Sequence, residues 1–106
     1  MESVSATNPA ITQIRRSIVS GDDETIEIEL RHESKHGDTA EAQLTTNSMV
    51  QAYLECQLSG KRLTITIKGQ QSRGVGPGSY GIDARIVSSS GGRTTVARGI
   101  IDVLAG

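Results

Sequence analysis

The feature of the sequence that most constrains its fold is the alternation of apolar and polar residues with a period of two. A segment beginning at Ile26 alternates isoleucine and leucine with charged residues, and later segments opening at Val50, Leu63 and Tyr80 repeat the pattern. An extended strand places such apolar side chains on one face, whereas a helix would scatter them around its axis. Isoleucine and threonine, which favour strands, are frequent in these segments. The chain is therefore predicted to consist of half-buried β-strands.

Short runs of glycine, serine and aspartate separate these segments and predict where the chain turns. Residues 20–23 precede the Ile26 strand, and residues 59–61 are short enough to make a hairpin of their flanking strands. Longer connections are predicted at 32–42, 69–79 and 88–92, with the glycine-rich segment 69–79 as a mobile loop.

Two further positions carry specific expectations. Residues 44–48 are expected to lead directly into the Val50 strand, whose apolar face is predicted to include Val50 itself. Gly99 interrupts the last apolar run, as a residue at a β-bulge would. Beyond Gly99 the inward pair is left open between two choices, Ile101 with Val103 or Ile100 with Leu104.

The number and spacing of these segments predict an all-β fold of about seven antiparallel strands without a helix. Frequent turns between half-buried strands are typical of a β-sandwich, and a small β-barrel is the second choice. At 106 residues the chain is expected to form a single β-sandwich domain over residues 11–106. Residues 1–10 are small and polar and are predicted to form a flexible N-terminal arm.

The composition limits both the core and the classes of partner. Hydrophobic residues make up 35% of the chain and its aromatic residues are two tyrosines, so the core is predicted to be aliphatic and thin. Such a domain gains stability when neighbours in an assembly bind it. The formal net charge of −1 lacks the basic surface that phosphate binding demands. No apolar run approaches the roughly 20 residues of a membrane helix, so neither nucleic acid nor a membrane is an expected partner.

One segment, His32-Glu33-x-x-His36, matches the letters of the zinc-peptidase motif H-E-x-x-H. That motif requires a helix, which places both histidines on one face with the glutamate beside a metal-bound water. Here the strand alternation runs into His32, and Gly37 and Asp38 would stop a helix early. We interpret the pair as solvated histidines of a polar loop. A minimal zinc hydrolase that uses His32, Glu33 and His36 is the alternative.

Three other features have a chemical interpretation and a simpler structural one. The glycines of residues 74–78 resemble a phosphate-binding loop, but a strand follows where such a loop needs a helix. Cys56, the single cysteine, lies on the apolar side of its strand and is interpreted as a small hydrophobic residue. An acidic cluster is interpreted as protecting a sheet edge rather than binding calcium; it comprises Asp22, Asp23, Glu24, Glu27 and Glu29. We assign no catalytic, cofactor-binding or metal-ligating residue and expect no cofactor.

The order of four short motifs resembles that of a known family. The motifs lie at residues 20–23 (SGDD), 44–50 (LTTNSMV), 78–83 (GSYGID) and 99–103 (GIIDV). Their order is similar to that in the immunoglobulin-like β-sandwich of tailed-phage structural proteins, such as the N-terminal domain of baseplate upper proteins. The resemblance covers residues 11–104 and implies a virion protein without catalytic residues, made in the cytoplasm of a bacterial host.

The expected function is therefore to bind other virion proteins and copies of the same chain, without a small-molecule substrate. The position is left open between the tail or baseplate, the head–tail junction and the capsid surface. Residues 1–10 and 69–79 are the expected contact elements, with backbone pairing at an exposed sheet edge as the binding mode. A carbohydrate-binding β-sandwich is a third possibility. Its aromatic stacking would rest on Tyr53 and Tyr80, and Tyr80 falls on the apolar side of its strand.

Overall fold

The computed structural model describes residues 11–106, which form seven strands and one short helix. The strands are β1 (Thr12–Val19), β2 (Glu24–Glu29), β3 (Thr39–Thr46), β4 (Met49–Ser59), β5 (Arg62–Ile67), β6 (Gly78–Val87) and β7 (Arg93–Leu104). The helix α1 (Gly69–Val75) connects β5 to β6. The flexible arm predicted for residues 1–10 lies outside the described residues.

The strands form two sheets that share β4, in the order β1-β7-β6-β3-β4-β5-β2. The first part of β4, as far as Leu54, pairs with β3, and the part from Glu55 onward pairs with β5. We call β1, β7, β6, β3 and the first part of β4 the five-stranded sheet. The second part of β4 forms the three-stranded sheet with β5 and β2. The predicted β-sandwich of seven strands is confirmed, and it is not a closed barrel because β1 and β2 do not pair with each other.

Alternate residues of β2, β3, β5 and β6 bury their side chains between the sheets, as the sequence pattern predicts. On β5 the side chains of Leu63, Ile65 and Ile67 are fully buried, and Leu44 and Ile82 are buried on the opposing sheet. Each such aliphatic side chain contributes roughly 1.5–3 kcal/mol to the stability of the fold. The core is aliphatic apart from Tyr80.

The edge formed by β1 differs from the prediction of antiparallel strands only. β1 pairs with β7 in parallel, from Thr12 beside Ala97 to Val19 beside Leu104, while the remaining strand pairs are antiparallel. Parallel pairing is possible here because the whole intervening chain serves as the crossover connection.

Gly99 lies in the middle of β7 and does not form the predicted bulge. The register shifts instead between Ala84 and Arg85, which leaves Val96 as the extra residue of β7. A Cβ atom at position 99 would lie 1.8 Å from the carbonyl oxygen of Ile14. Glycine at this position therefore allows β1 to approach β7 closely. Beyond Gly99 the inward pair is Ile101 with Val103.

Residues 44–48 do not continue into the next strand as expected. β3 ends at Thr46, and Asn47 and Ser48 form a two-residue turn with φ values of 52° and 66°. Positive φ at both central residues is the requirement of a type I′ hairpin turn, and asparagine tolerates that region better than most residues. The polar connection before β3 is also shorter than predicted, because β3 already begins at Thr39.

The segment 69–79, predicted to be a mobile loop, contains α1. Seven residues make a marginal helix on their own, so contacts from elsewhere in the chain must stabilise it. The hydroxyl of the fully buried Ser72 accepts a hydrogen bond from the backbone N–H of Gly21 at 2.9 Å. The backbone N–H of Gly69 donates to Oδ1 of Asp23 at 2.5 Å. These partners lie about fifty positions away in the sequence, which is why the local pattern of residues 69–79 does not reveal the helix.

Candidate protein-binding surface

The His32-Glu33-x-x-His36 segment lies in an irregular loop between β2 and β3, and its three motif side chains are exposed. The loop is anchored by Ser34, whose backbone N–H and hydroxyl donate to the carbonyl oxygen of Gly60 at 2.8 and 2.9 Å. The segment does not form the helix through which the motif aligns its ligands. Within residues 11–106, no group of three or more histidine, cysteine, aspartate or glutamate side chains is placed to hold a metal ion.

In the segment 69–79, the glycines of residues 74–78 lie at the end of α1 and lead into β6, so they do not form a phosphate cradle in front of a helix. The Tyr80 hydroxyl lies 2.5 Å from the carbonyl oxygen of Val75 and 2.8 Å from that of Gly76, so it fixes the end of α1. The Gln71 side-chain amide donates to the carbonyl oxygen of Tyr53 at 2.6 Å, next to the point where β4 changes sheets. These polar groups are satisfied within the chain, which favours a structural role for the segment over the expected contact role.

The acidic cluster is divided among separate structural contacts. Asp23 accepts the hydrogen bond from α1 described above, and Glu24 forms an ion pair with Arg16 at 2.8 Å. Glu27 and Glu29 are exposed on the outer side of β2, a strand with a free edge among the described residues. This arrangement supports the interpretation that the cluster protects an edge.

Cys56 lies half-buried against the core on the inner side of β4. Burial raises the pKa of its thiol to about 11, and the negative charge of Glu41 adds to that rise. The thiolate is the nucleophilic form of cysteine, so a thiol that stays protonated at neutral pH is a poor nucleophile. Cys56 therefore fits its predicted place as a small hydrophobic residue.

Across β4, β3, β6 and β7 the outer face of the five-stranded sheet carries a row of neutral residues with an apolar side chain at each end, and the charged Arg15 on β1 follows beside Ile100. By register, Val50 on β4 lies beside Thr45, Thr45 beside Gly81, and Gly81 beside Ile100 on β7. Val50 is 39% exposed and Ile100 is 38% exposed. The centre of the row is flat because Gly81 has no side chain and Thr45 has a short one. We call these four residues the apolar row.

Val50 reaches this outer face because of a β-bulge that the sequence pattern does not show. Simple alternation predicts that Val50 points inward together with Ala52. The register shifts between Leu44 and Thr45, so that Ala52 lies beside Leu44 whereas Val50 lies beside Thr45. One extra residue on β4 therefore turns Val50 outward. The contribution of Val50 to a surface was missed for this reason.

A second row beside the apolar row mixes aromatic, polar and charged residues. In strand order this mixed row consists of Tyr53, Gln43, Asp83 and Arg98. Tyr53 is 73% exposed. In the next row Arg85 lies beside Glu41, and it forms ion pairs with Asp83 at 3.0 Å and with Glu41 at 3.8 Å. The charges at the centre of the face thus compensate one another.

The outer face of the three-stranded sheet is polar. Its outward residues include Thr25 and Glu27 on β2, Thr64 on β5 and Gln57 on β4. The large hydrophobic side chains that are exposed within residues 11–106 all lie on strands of the five-stranded sheet, and they are Val19, Met49, Val50, Tyr53, Ile100 and Leu104. The outer faces of the two sheets therefore differ in their chemistry, since exposed large hydrophobic side chains occur on the strands of one sheet and polar side chains cover the other.

Comparison with known proteins gives similarity in structure but none in sequence. No protein-family model and no curated protein matches this chain. The crystal structure of the titin M3 domain matches with a TM-score of 0.56 and 11% sequence identity, covering 91% of this chain and 93% of that chain. The fold is immunoglobulin-like. The M1 domain from titin matches with a TM-score of 0.49 and 9% identity, covering 89% of this chain and 90% of that chain.

The immunoglobulin-like fold explains the position of Tyr80. A tyrosine near the start of a late strand commonly bonds back to the backbone a few residues upstream in such sandwiches, in a tyrosine corner. Tyr80, near the start of β6, makes this contact with Val75 and Gly76.

Within residues 11–106, no helix is long and apolar enough to cross a membrane.

Proposed function

We propose that this chain is a non-enzymatic, protein-binding β-sandwich that serves as a structural component of a phage virion. The observation that carries the binding role is the confinement of exposed large hydrophobic side chains to the five-stranded sheet. An exposed apolar patch with a polar rim is typical of a protein–protein interaction surface. The apolar row contributes two exposed apolar side chains, Val50 and Ile100, which are separated by the small residues Thr45 and Gly81 and bordered by the mixed row.

The free sheet edges are less suited to binding than the face. β1 and β2 each have one edge without a partner strand among the described residues. Exposed charged side chains line these strands, namely Arg15 and Arg16 on β1 and Glu27 and Glu29 on β2. Charged side chains on an edge strand oppose pairing with another strand. We therefore place the main contact on the outer face of the five-stranded sheet.

The virion part of the proposal is supported by the order of the four motifs at residues 20–23, 44–50, 78–83 and 99–103. The partners would be other virion proteins and further copies of this chain, in an assembly that adds stability to a thin aliphatic core. The test is quantitative mass spectrometry of purified particles from the producing culture. We expect the chain at a fixed copy number per particle, and its absence from intact particles would refute the virion role.

The binding surface is tested by incorporating variants into those particles. Val50→Glu places a charge in the apolar row and should reduce incorporation strongly. Gln57→Glu adds the same charge to the outer face of the three-stranded sheet and should leave incorporation unchanged. Removal of residues 1–10 tests the arm in the same assay, and normal attachment would eliminate the arm as a contact element.

The zinc hydrolase alternative has a direct test of its own. Metal analysis of the purified protein should find no stoichiometric zinc, because the His32–Glu33–His36 segment does not form the helix that its motif requires. Stoichiometric zinc that is lost in a His32→Ala variant would establish the alternative.

A further inference from the structure

We propose that the outer face of the five-stranded sheet binds the same face of a second copy of this chain in a two-fold symmetric dimer. The inference rests on the proposed protein-binding function and names its partner. A two-fold interface requires a self-complementary surface, in which each group meets a suitable group after rotation. The register of this face meets that requirement.

The symmetry axis would run parallel to the strands, midway between β6 and β3. Rotation about this axis places β4 of one copy over β7 of the other, and β6 over β3. Residues of one row lie at the same height along the strands, and the rotation keeps that height. Each row of one copy therefore lies over the same row of the other copy, with the order of the strands reversed. Val50 of each copy then contacts Ile100 of the other, and the small residues Thr45 and Gly81 face each other at the centre.

The same rotation brings complementary polar groups together. Tyr53 of one copy faces Arg98 of the other, a pairing that suits a cation–π contact when the guanidinium lies within about 6 Å of the ring. Asp83 faces Gln43 of the second copy. In the next row Arg85 faces Glu41 of the second copy, at the position where these two side chains already form an ion pair within each chain. No like charges face each other in these rows.

The size and shape of the face fit a weak, reversible dimer. In this arrangement β7, β6, β3 and the first part of β4 overlap with the second copy, whereas β1 has no strand opposite it. Four strands spaced about 4.8 Å apart and about 25 Å long give roughly 500 Å² per copy. Two copies together contribute roughly 1,000 Å², which is below the 1,200–2,000 Å² of standard stable interfaces and is typical of a weak, reversible association. Aligned sheets pack about 10 Å apart, and the flat centre at Gly81 permits that approach.

The test replaces the apolar contact between Val50 of one copy and Ile100 of the other with a pair of opposite charges. Sedimentation velocity over a wide concentration range would compare wild type with Val50→Lys, Ile100→Glu and the double variant, after circular dichroism shows the β-sheet spectrum retained. Wild type should dimerise, and each single variant should raise the dimer Kd by about tenfold or more. The double variant should recover dimerisation, because the introduced ammonium of one copy then faces the introduced carboxylate of the other.

Two control variants at Gln57 and one further variant at Tyr53 separate effects on the dimer surface from effects on folding. Gln57→Glu and Gln57→Lys add the same charges to the outer face of the three-stranded sheet and should leave the dimer Kd unchanged. Tyr53→Ala removes a side chain that is 73% exposed and should weaken the dimer while leaving the fold intact.

Three outcomes would overturn the inference. They are a wild-type chain that stays monomeric, a dimer that both single variants leave unaffected, and a double variant that fails to recover. The proposed function fails separately, when the chain is absent from purified particles. A monomeric wild type whose Val50→Glu variant is nevertheless lost from particles would show that the face binds a different virion protein.

Discussion

The two sheets of this sandwich have similar inner faces and different outer faces. Inward residues of both sheets are fully buried aliphatic side chains, as at Leu44 and Leu63. Outward residues are apolar or aromatic at Val50 and Tyr53 on one sheet but polar at Thr64 on the other. Because outward positions do not pack in the core, their composition reflects what each face contacts. The residues that distinguish the two sheets as binding surfaces are therefore the outward ones, for which the alternation pattern predicts exposure but no partner.

The largest effect on stability is expected where β1 joins the five-stranded sheet. Gly99→Val places side-chain atoms where a Cβ alone would lie 1.8 Å from the Ile14 carbonyl oxygen, so β1 must move away. We expect a loss of about 3 kcal/mol or more in urea denaturation. Thr64→Val makes a change on the outer face of the other sheet and should shift stability by less than about 0.5 kcal/mol. Equal losses in the two variants would contradict the role assigned to Gly99.

The pKa of the Cys56 thiol reports how strongly folding buries this side chain on the inner side of β4. Its pKa rises from an ordinary 9.0 to about 11 on folding, so the thiolate fraction at neutral pH should be about a hundredfold lower than in the unfolded chain. Because folding favours the protonated thiol, its contribution to stability is present below pH 9.0 and is lost as the pH rises toward 11. Iodoacetamide alkylation as a function of pH, with and without urea, measures both midpoints. A folded-state midpoint at the unfolded value would refute the shift.

The tyrosine corner gives a smaller and matched comparison. Tyr80→Phe removes the hydroxyl that bonds to the end of α1 and should cost about 1–2 kcal/mol of unfolding free energy. Tyr53→Phe makes the same change at a largely exposed ring and should cost less than about 0.5 kcal/mol. Equal costs would show that the corner does not stabilise the sandwich.

The smallest effect is expected at Gly74 in α1, the helix that packs where β4 passes from one sheet to the other. Gly74→Ala adds a methyl group to open space in a helix and should stabilise the fold by roughly 0.5–1 kcal/mol. Gly69→Ala should instead destabilise it, because the added Cβ would lie 2.2 Å from the carbonyl oxygen of Gly21. Thermal melts of both variants provide the measurement, and a loss of stability in Gly74→Ala would mean that α1 is not helical at that position.

Strand content and the two-layer fold could be predicted from the sequence because they depend on local alternation. The inward position of Tyr80 follows from the same alternation. α1 could not be predicted, since the groups that stabilise it, at Gly21 and Asp23, are distant in sequence. The turn at Asn47 and Ser48 lacks the glycine that usually marks a two-residue hairpin.

The candidate binding face was harder to predict than the fold. A row across a sheet depends on the register of strands that are far apart in the chain, and alternation within one strand does not define that register. The β-bulge that turns Val50 outward is another such register feature. Ile100 was one of two possible inward choices beyond Gly99, and its outward position depends on the register of β7 with β6, in which the buried Tyr80 lies beside Ile101 and Gly81 beside Ile100.

That parallel pairing also has a consequence for how the protein is made. Among the strands of residues 11–106, β1 is synthesised first, yet the strand with which it pairs is β7, which is synthesised last of the seven. Contacts of such long sequence separation form late in folding because the intervening loop must first close. The nascent chain must therefore keep Ile14 and Ile18 from non-native association until β7 has been synthesised. The adjacent Arg15 and Arg16 lie between these two isoleucines, and charged residues in such positions oppose aggregation of a hydrophobic strand.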